Sequence, residues 1–193
     1  MTVPIVSYGH IVLRQVCRNV EPEDPRLESI MVNLTDTMDA ADGVGLAGPQ
    51  INEPINIFMV DTRQIYARMK EDERPVYFPD NEGIRDIFIN ARIIKKSADT
   101  FIDEEGCLSI PSLFEEIERP WSVEIEYQNS LFQKQIREFS GITARAIQHE
   151  YDHTQGILFI DHLSTIKKKL LKTKLAEISE GKILINYSMQ FTW

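Results

Sequence analysis

The sequence has 193 residues and 42% hydrophobic side chains, which suffices for one domain with its own core. Its 30 acidic residues outnumber the 21 lysines and arginines, so the net charge of -9 argues against free nucleic acid as a partner. Two cysteines are too few for a disulfide-stabilised secreted scaffold, and residues 1–10 lack a signal-peptide pattern. No apolar stretch is long enough to span a membrane. We therefore expect a cytoplasmic protein without a membrane partner.

The first predicted helix begins after Asp24-Pro25, a pair that is typical of a helix start. The residues that recur at helical spacing along its apolar face are Leu27, Ile30, Met31, Leu34 and Met38. Residues 42–50 follow, and their glycines and proline predict a tight, irregular turn whose backbone can approach a ligand closely. A phosphate site is disfavoured there, because the glycines follow a helix rather than a strand and no P-loop lysine accompanies them.

The middle of the chain has strand patterns on both sides of a polar segment. Residues 55–60 form a short apolar run, whereas residues 63–85 are charged and contain prolines, which predicts a surface insertion. Strand patterns return at residues 87–94 and 122–127, and the second of these connects through a polar turn to residues 134–139. A hairpin of the last two runs makes the sheet at least partly antiparallel.

A predicted helix between Ser140 and Gly156 has the pattern of a metal site. His149 and His153 are four residues apart, so they project from one helix face and can share one ion. Glu150 lies beside them and is placed to take a proton from water on that ion. This pattern is typical of metal-dependent hydrolases.

Cys107 is the second feature that suits metal chemistry. It follows a glycine in the polar segment 104–109. From the residues alone it is a third metal ligand, a catalytic nucleophile or a buried thiol, and these alternatives stay open. As a ligand it would complete a set of three that leaves the fourth tetrahedral position for water. Cys17 is most simply a small buried apolar residue.

The C-terminal region predicts an amphipathic helix over residues 164–180, with Ser164 as its cap. Its apolar stripe comprises Ile166, Leu170, Leu171, Leu175 and Ile178, and its basic residues are Lys167, Lys168, Lys169, Lys172 and Lys174. These lysines contrast with the acidic whole and form either a solvated face or a docking surface. Residues 183–187 predict a final strand.

Three separated motifs together resemble those of the peptide deformylases. They are Gly43-Val44-Gly45-Leu46-Ala47-Gly48-Pro49-Gln50, Glu105-Gly106-Cys107-Leu108-Ser109 and Gln148-His149-Glu150-Tyr151-Asp152-His153. Gly48 stands where that family usually has alanine, and residues 63–85 are outside the resemblance. The resemblance otherwise covers nearly all of residues 1–193. It implies one α+β domain whose mixed, largely antiparallel sheets surround a central metal-binding helix.

The resemblance also implies a metal-dependent hydrolase that removes the N-formyl group from the N-terminal formyl-methionine of nascent polypeptides and releases formate. Its metal ligands would be Cys107, His149 and His153. Glu150 would be the general acid/base that acts on a metal-bound hydroxide. Gln50 through its side-chain amide and Leu108 through its backbone N–H would donate to the oxygen of the reacting carbonyl.

Substrate, metal and ribosome contacts follow from the same resemblance. The implied substrate-binding residues are Gly43, Val44, Gly45, Glu105, Ile142 and Arg145. Arg145 would place its aliphatic stem along the methionine pocket and its charge in solvent. Iron(II) is the implied physiological metal, with zinc, nickel and cobalt as alternatives. The lysine-rich helix over residues 164–180 would contact the ribosome near the emerging chain.

Two other functions remain alternatives. A metallopeptidase that cleaves internal amide bonds uses the same His-Glu-x-x-His helix, although its third ligand is usually a carboxylate or another histidine. A catalytically idle metal-binding module would close its coordination with four protein ligands, whereas the sequence offers three candidates. Incubation with an unformylated peptide separates the metallopeptidase from the deformylase, because only the metallopeptidase would cut it internally.

Overall fold

The computed structural model describes residues 1–192, and this part of the chain folds as helices packed on largely antiparallel sheets. The helices are α1 (Leu27–Ala40), α2 (Arg63–Arg68), α3 (Arg74–Tyr77), α4 (Gly141–Thr154) and α5 (Thr165–Ser179). The strands are β1 (Ile5–Val6), β2 (Gly45–Ala47), β3 (Ile57–Asp61), β4 (Arg85–Lys96), β5 (Thr100–Cys107), β6 (Ile110–Pro120), β7 (Ser122–Gln128), β8 (Lys134–Ser140) and β9 (Met189–Gln190). Short 3₁₀ helices lie at Ile11–Arg14, Gly48–Ile51 and Phe159–His162. No helix within residues 1–192 is both long and apolar enough to cross a membrane.

The largest sheet has the strand order β2-β3-β4-β7-β8, and all its neighbouring strands are antiparallel. In β7 the apolar residues that alternate with polar ones are buried: Val123, Ile125 and Tyr127. The predicted hairpin with residues 134–139 is confirmed as β7-β8. Ala144 and Ile147 of α4 pack in one cluster with Phe58 and Phe88 of the sheet. The predicted α+β fold with a central helix is therefore confirmed.

A separate antiparallel hairpin, β5-β6, carries Cys107 at its end. Leu108 and Ser109 form the turn between its strands. The sequence pattern indicates only the polar segment that contains the cysteine, and β6 was not predicted. The inward-facing positions of β6 include Glu115 and Arg119 as well as apolar residues, so its alternation is hidden in the sequence.

Two expectations about irregular and terminal segments are wrong. The glycine-rich residues 42–50 contain β2 and then the 3₁₀ helix Gly48–Ile51. The strand forms because its backbone pairs with β3, with Gly45 opposite Val60. Residues 183–187 are not a strand; the terminal strand is β9, which pairs in parallel with β1.

Helix α1 begins at Leu27, slightly later than predicted. Asp24 does not cap the helix, because its Oδ1 accepts a hydrogen bond from the backbone N–H of Arg26 at 3.0 Å before the helix starts. The predicted apolar face is buried except for Met31, which is partly exposed. The predicted apolar face of α1 is therefore confirmed, whereas its predicted first residue is wrong.

Residues 63–85 form α2, α3 and loops that pack against the start of α4. Ser140 is the N-cap residue as predicted, but its hydroxyl donates to Asp80 and does not cap the helix. Thr143 Oγ1 donates to Asn81 Oδ1 at 3.0 Å. This segment therefore lies beside the helix with the two candidate ligands, and its origin as an insertion stays a prediction.

Helix α5 follows the prediction at its start but not along its whole apolar stripe. Ser164 Oγ accepts a hydrogen bond from the first turn at 3.3 Å, which confirms the cap. Leu175 and Ile178 are buried, whereas Ile166 and Leu170 are 73% and 77% exposed. Two of the five residues of the predicted stripe therefore face solvent.

Candidate active site

Cys107, His149 and His153 form a cluster that could hold one metal ion. Helix α4 presents both imidazoles on one face, and the end of β5 presents the thiol. One potential ligand atom from each residue lies within 4.8 Å of the others, and Cys107 Sγ is 3.3 Å from His153 Nε2. A thiolate with two imidazoles suits zinc, iron(II), cobalt or nickel, and three ligands leave one tetrahedral position open.

Glu105 fixes the orientation of His149. Its Oε2 lies 2.9 Å from His149 Nδ1, and both side chains are buried. A carboxylate that accepts from Nδ1–H leaves the Nε2 lone pair free, which is the form that a metal requires. Burial alone would raise the pKa of the Glu105 carboxyl, but hydrogen bonds from His149 and Arg119 hold that pKa well below its usual range. Glu105 therefore stays charged.

Two buried arginines neutralise the acidic groups behind the cluster. Arg119 Nε is 2.6 Å from Glu105 Oε1, and Arg119 Nη1 is 2.7 Å from Asp152 Oδ2. His162 Nε2 lies 2.8 Å from the same Asp152 oxygen. Arg145 Nη1 lies 2.6 Å from Glu105 Oε1. The prediction that Arg145 places its charge in solvent is wrong, because its guanidinium is held in this network and the residue is 5% exposed.

Glu150 is buried beside the cluster, and its Oε2 has no hydrogen-bond partner among the described residues. Burial raises the pKa of its carboxyl to about 7. Gly45 leaves room for this side chain, since a Cβ at Gly45 would lie 2.6 Å from Glu150 Cγ. A carboxyl with a pKa near neutrality can both accept and return a proton at physiological pH.

Gln50 lies next to the turn that joins β5 and β6. Its Oε1 accepts a hydrogen bond from Ala47 N at 2.8 Å, which directs Nε2 towards that turn. Gln50 Nε2 is 3.6 Å from Cys107 Sγ and 3.3 Å from Ser109 Oγ. In the same turn, the N–H of Leu108 donates to no acceptor within residues 1–192. Two N–H donors near Cys107 suit an oxygen that develops negative charge.

A cleft of about 680 Å³ opens at this cluster. The predicted site residues that line it are Gly43, Val44, Gly45, Gln50, Glu105, Cys107, Leu108, Ile142, Arg145, His149 and Glu150. His153 contacts Cys107 but is not part of the lining surface. The cleft is also lined by residues that were not predicted, because they belong to segments without a motif: Ile65, Met69, Leu184 and Tyr187.

No site role was predicted for Arg119, Asp152 and His162, although they form the charged network behind the candidate ligands. Asp152 immediately precedes His153 in the helix motif, which is a signal that could have been used. Arg119 and His162 come from other elements, so no spacing in the sequence connects them with the cluster.

Comparison with known proteins identifies the family. Residues 2–169 match the family model described as Polypeptide deformylase. The chain belongs to the peptide deformylase family. The peptide deformylase of Christiangramia forsetii is 42% identical over 193 residues, which covers 99% of this chain and 96% of that protein. The peptide deformylase of Flavobacterium johnsoniae has the same identity and the same coverage.

Solved peptide deformylase structures share the fold. The Ehrlichia chaffeensis structure aligns with a TM-score of 0.81 at 26% identity and covers 95% of this chain and 100% of that chain. A Plasmodium falciparum deformylase aligns with a TM-score of 0.77 at 32% identity and covers 92% of this chain and 95% of that chain. Deformylases are metal-dependent hydrolases, so this family member is an enzyme, and its Cys107, His149 and His153 cluster fits the metal requirement.

Proposed function

We propose that this deformylase removes the N-formyl group from the N-terminal formyl-methionine of nascent polypeptides and releases formate. The observation that supports this best is the position of Glu150 beside the cluster of Cys107, His149 and His153, at the base of a cleft. The arrangement would combine a metal held by three protein ligands with a carboxyl that titrates near neutrality. Hydrolysis of an amide-type carbonyl uses both groups.

The donor set fits one divalent cation. Cys107 Sγ, His149 Nε2 and His153 Nε2 would hold it, since His149 Nδ1 is already in contact with Glu105. When bound, the cation would supply Lewis-acid chemistry, which polarises a carbonyl oxygen and lowers the pKa of water. We propose iron(II) as the physiological ion, as the family resemblance implies, with zinc, nickel or cobalt as ions that suit the same ligands.

The cleft walls suit an extended peptide that begins with methionine. Val44 and Ile142 provide apolar lining, and the buried guanidinium of Arg145 is directed away into the ion-pair network. Strand β2 is the terminal strand of its sheet, so an extended peptide can pair along its outer edge as an added strand. Gly43 and Gly45 keep the backbone accessible at this edge.

Glu150 acts as general base and then as general acid in this proposal. It accepts a proton from the attacking water and returns it to the nitrogen of the departing amine. Gln50 Nε2 and the Leu108 N–H donate to the formyl oxygen as its negative charge develops. Ala47 keeps the Gln50 amide in the orientation that this donation needs, through the 2.8 Å hydrogen bond to Gln50 Oε1.

The test is formate release from a formyl-methionyl peptide by protein purified without oxygen, with bound metals quantified in the same sample. We expect rapid release that stops on chelation and returns on addition of iron(II). Absence of release from fully metallated protein would reject the proposal. Internal cleavage of an unformylated peptide would favour a metallopeptidase, and inertness towards both peptides would favour an idle module.

We also propose that the enzyme works in the cytoplasm, where helix α5 contacts the ribosome near the emerging chain. Lys169 and Lys172 are exposed and make no hydrogen bond or ion pair with other described residues, whereas Lys167 pairs with an acidic neighbour. Ile166 and Leu170 are exposed on the same helix. Unpaired lysines beside exposed apolar side chains suit binding to the ribosome, whose surface presents both phosphate groups and protein.

A further inference from the structure

The segment of residues 184–187, called the C-terminal wall below, forms one side of the cleft. Its residues Leu184, Ile185, Asn186 and Tyr187 all contribute to the cleft lining. The family model ends its match at residue 169, so the C-terminal wall lies outside the part of the chain that the model describes. The family model therefore gives this wall no role.

Backbone pairing holds the C-terminal wall in place. Ile5 N donates to Ser188 O at 2.9 Å, and Ser7 N donates to Gln190 O at 2.8 Å. These hydrogen bonds surround the β1-β9 pairing and begin at the residue that follows Tyr187. The position of Tyr187 is thus set by an element on the opposite end of the chain.

Tyr187 reaches from the C-terminal wall to the turn between β5 and β6. Its hydroxyl donates to the carbonyl oxygen of Leu108 at 2.8 Å. The Tyr187 ring and the Leu108 side chain both pack against the hydrophobic cluster that includes Leu34 and Met38 of α1. One side chain of the wall is therefore bonded to the residue whose N–H is the proposed donor to the formyl oxygen.

Other contacts restrain the turn but not the Leu108 carbonyl. Tyr8 N donates to Ser109 O at 2.8 Å, and Gln50 Nε2 lies 3.3 Å from Ser109 Oγ. The Leu108 side chain packs at Gly43, where a Cβ would lie 2.8 Å from Leu108 Cδ1. The N–H and the carbonyl of Leu108 belong to successive planar peptide groups that share its Cα. The pairing of Cys107 with Ile110 restrains the first group and the Tyr187 hydroxyl restrains the second, so together they hold the Leu108 backbone from both sides.

We propose that Tyr187 is a positioning residue that aims the Leu108 N–H at the oxygen of the reacting carbonyl. The inference rests on the proposed function, in which this N–H stabilises the developing oxyanion. Because such a hydrogen bond strengthens in the transition state, a misplaced donor slows the chemical step more than it weakens substrate binding. Loss of the Tyr187 hydroxyl should therefore lower kcat and leave KM nearly unchanged.

The experiment compares Tyr187→Phe with Tyr127→Phe as a matched control. Tyr127 donates to Asp86 Oδ2, also at 2.8 Å, but it packs in the sheet cluster and does not line the cleft. We expect Tyr187→Phe to lower kcat about 10-fold, with KM within about twofold of wild type, at equal metal content. Tyr127→Phe should lose thermal stability to at least the same degree and keep wild-type kcat.

Unchanged kcat in Tyr187→Phe, or equal loss of kcat in the two variants, would overturn the proposal. A second measurement does not depend on activity: hydrogen exchange of the Tyr8 amide, which donates to Ser109 O in the same turn, should be several-fold faster in metal-free Tyr187→Phe and unchanged in Tyr127→Phe. If wild-type protein releases no formate, the proposed function fails, and the exchange measurement still decides whether Tyr187 holds Leu108. Equal exchange in wild type and Tyr187→Phe would overturn that role.

Discussion

Two glutamates next to the candidate metal ligands have opposite environments. Glu105 contacts Arg119, Arg145 and His149 and stays charged, whereas Glu150 has an oxygen without a hydrogen-bond partner among the described residues and a pKa of about 7. Nearby carboxyls whose pKa values are driven apart commonly divide the structural and the proton-transfer roles. The sequence shows both as glutamates close to candidate ligands and gives no indication of which one is paired.

Replacement of Glu150 by glutamine keeps the size of the side chain and removes its titration. We expect kcat to fall about 100- to 10,000-fold, because proton transfer by a positioned side chain contributes about that much. Metal content should stay at the wild-type level, and formate release with metal analysis of the same sample measures both. Glu116→Gln changes an exposed glutamate of β6 and should keep full activity. Near-normal kcat in Glu150→Gln would remove Glu150 from its assigned role.

The two cysteines allow a direct test of the ligand set. Cys107 Sγ lies 3.3 Å from His153 Nε2, whereas burial raises the pKa of Cys17 to about 12, so the Cys17 thiol stays protonated. Metal ions bind the thiolate form. We expect Cys107→Ala to lose its metal and Cys17→Ala to retain it, as measured by elemental analysis after gel filtration. Full occupancy in Cys107→Ala would show that the metal is held by other residues.

The helices and strands that could be predicted from the sequence are those whose buried residues recur at one regular spacing. Helix α4 and the hairpin β7-β8 lie where their patterns indicate. Strand β2 was missed because pairing with β3 overrides the preference of Gly45 for irregular structure. Strand β9 was displaced from the predicted residues 183–187, since its position depends on pairing with β1 at the other end of the chain.

The residues of the candidate site likewise include some that could be predicted from the sequence and others that could not. His149, Glu150 and His153 could be predicted because they share one helix, where spacing alone sets which side chains are neighbours. Arg119 could not, because it reaches Glu105 and Asp152 only after β5, β6 and α4 have packed together. Tertiary contacts between distant elements leave no period in the sequence.

Replacement of Arg119 by methionine tests how far its ion pairs with Glu105 and Asp152 stabilise the packing of β5, β6 and α4. Arg119 is 3% exposed, and its loss removes one partner each from the buried Glu105 and Asp152. We expect the free energy of unfolding to fall by about 3–5 kcal/mol. Lys134→Met breaks an exposed ion pair with Glu126 and should cost less than about 1 kcal/mol. Urea unfolding of the metal-free proteins measures both, and similar losses in the two variants would contradict the prediction.

At the scale of the whole molecule, fewer lysines of α5 are available to a partner than its sequence indicates. The net charge is -9, yet all the lysines of the predicted cluster lie on this one helix. Three of them bond to the molecule itself: Lys167 to Glu115, Lys168 to the Asp161 carbonyl and Lys174 to the Ser112 carbonyl. Lys169 and Lys172 therefore remain as the lysines of α5 that are available to a partner.

Ribosome binding should depend on Lys169 and Lys172. Their joint replacement by glutamate should weaken co-sedimentation with ribosomes most at low salt, and should reduce the slope of log K against log salt by about 1 for each lysine that contacts a phosphate. Lys95→Glu with Lys96→Glu is the matched control, because these exposed lysines of β4 give the same change in net charge on another surface. Equal weakening in both double variants would assign the effect to net charge and contradict a docking role for α5. Formate release from a free peptide should stay unchanged in both, which separates docking from catalysis.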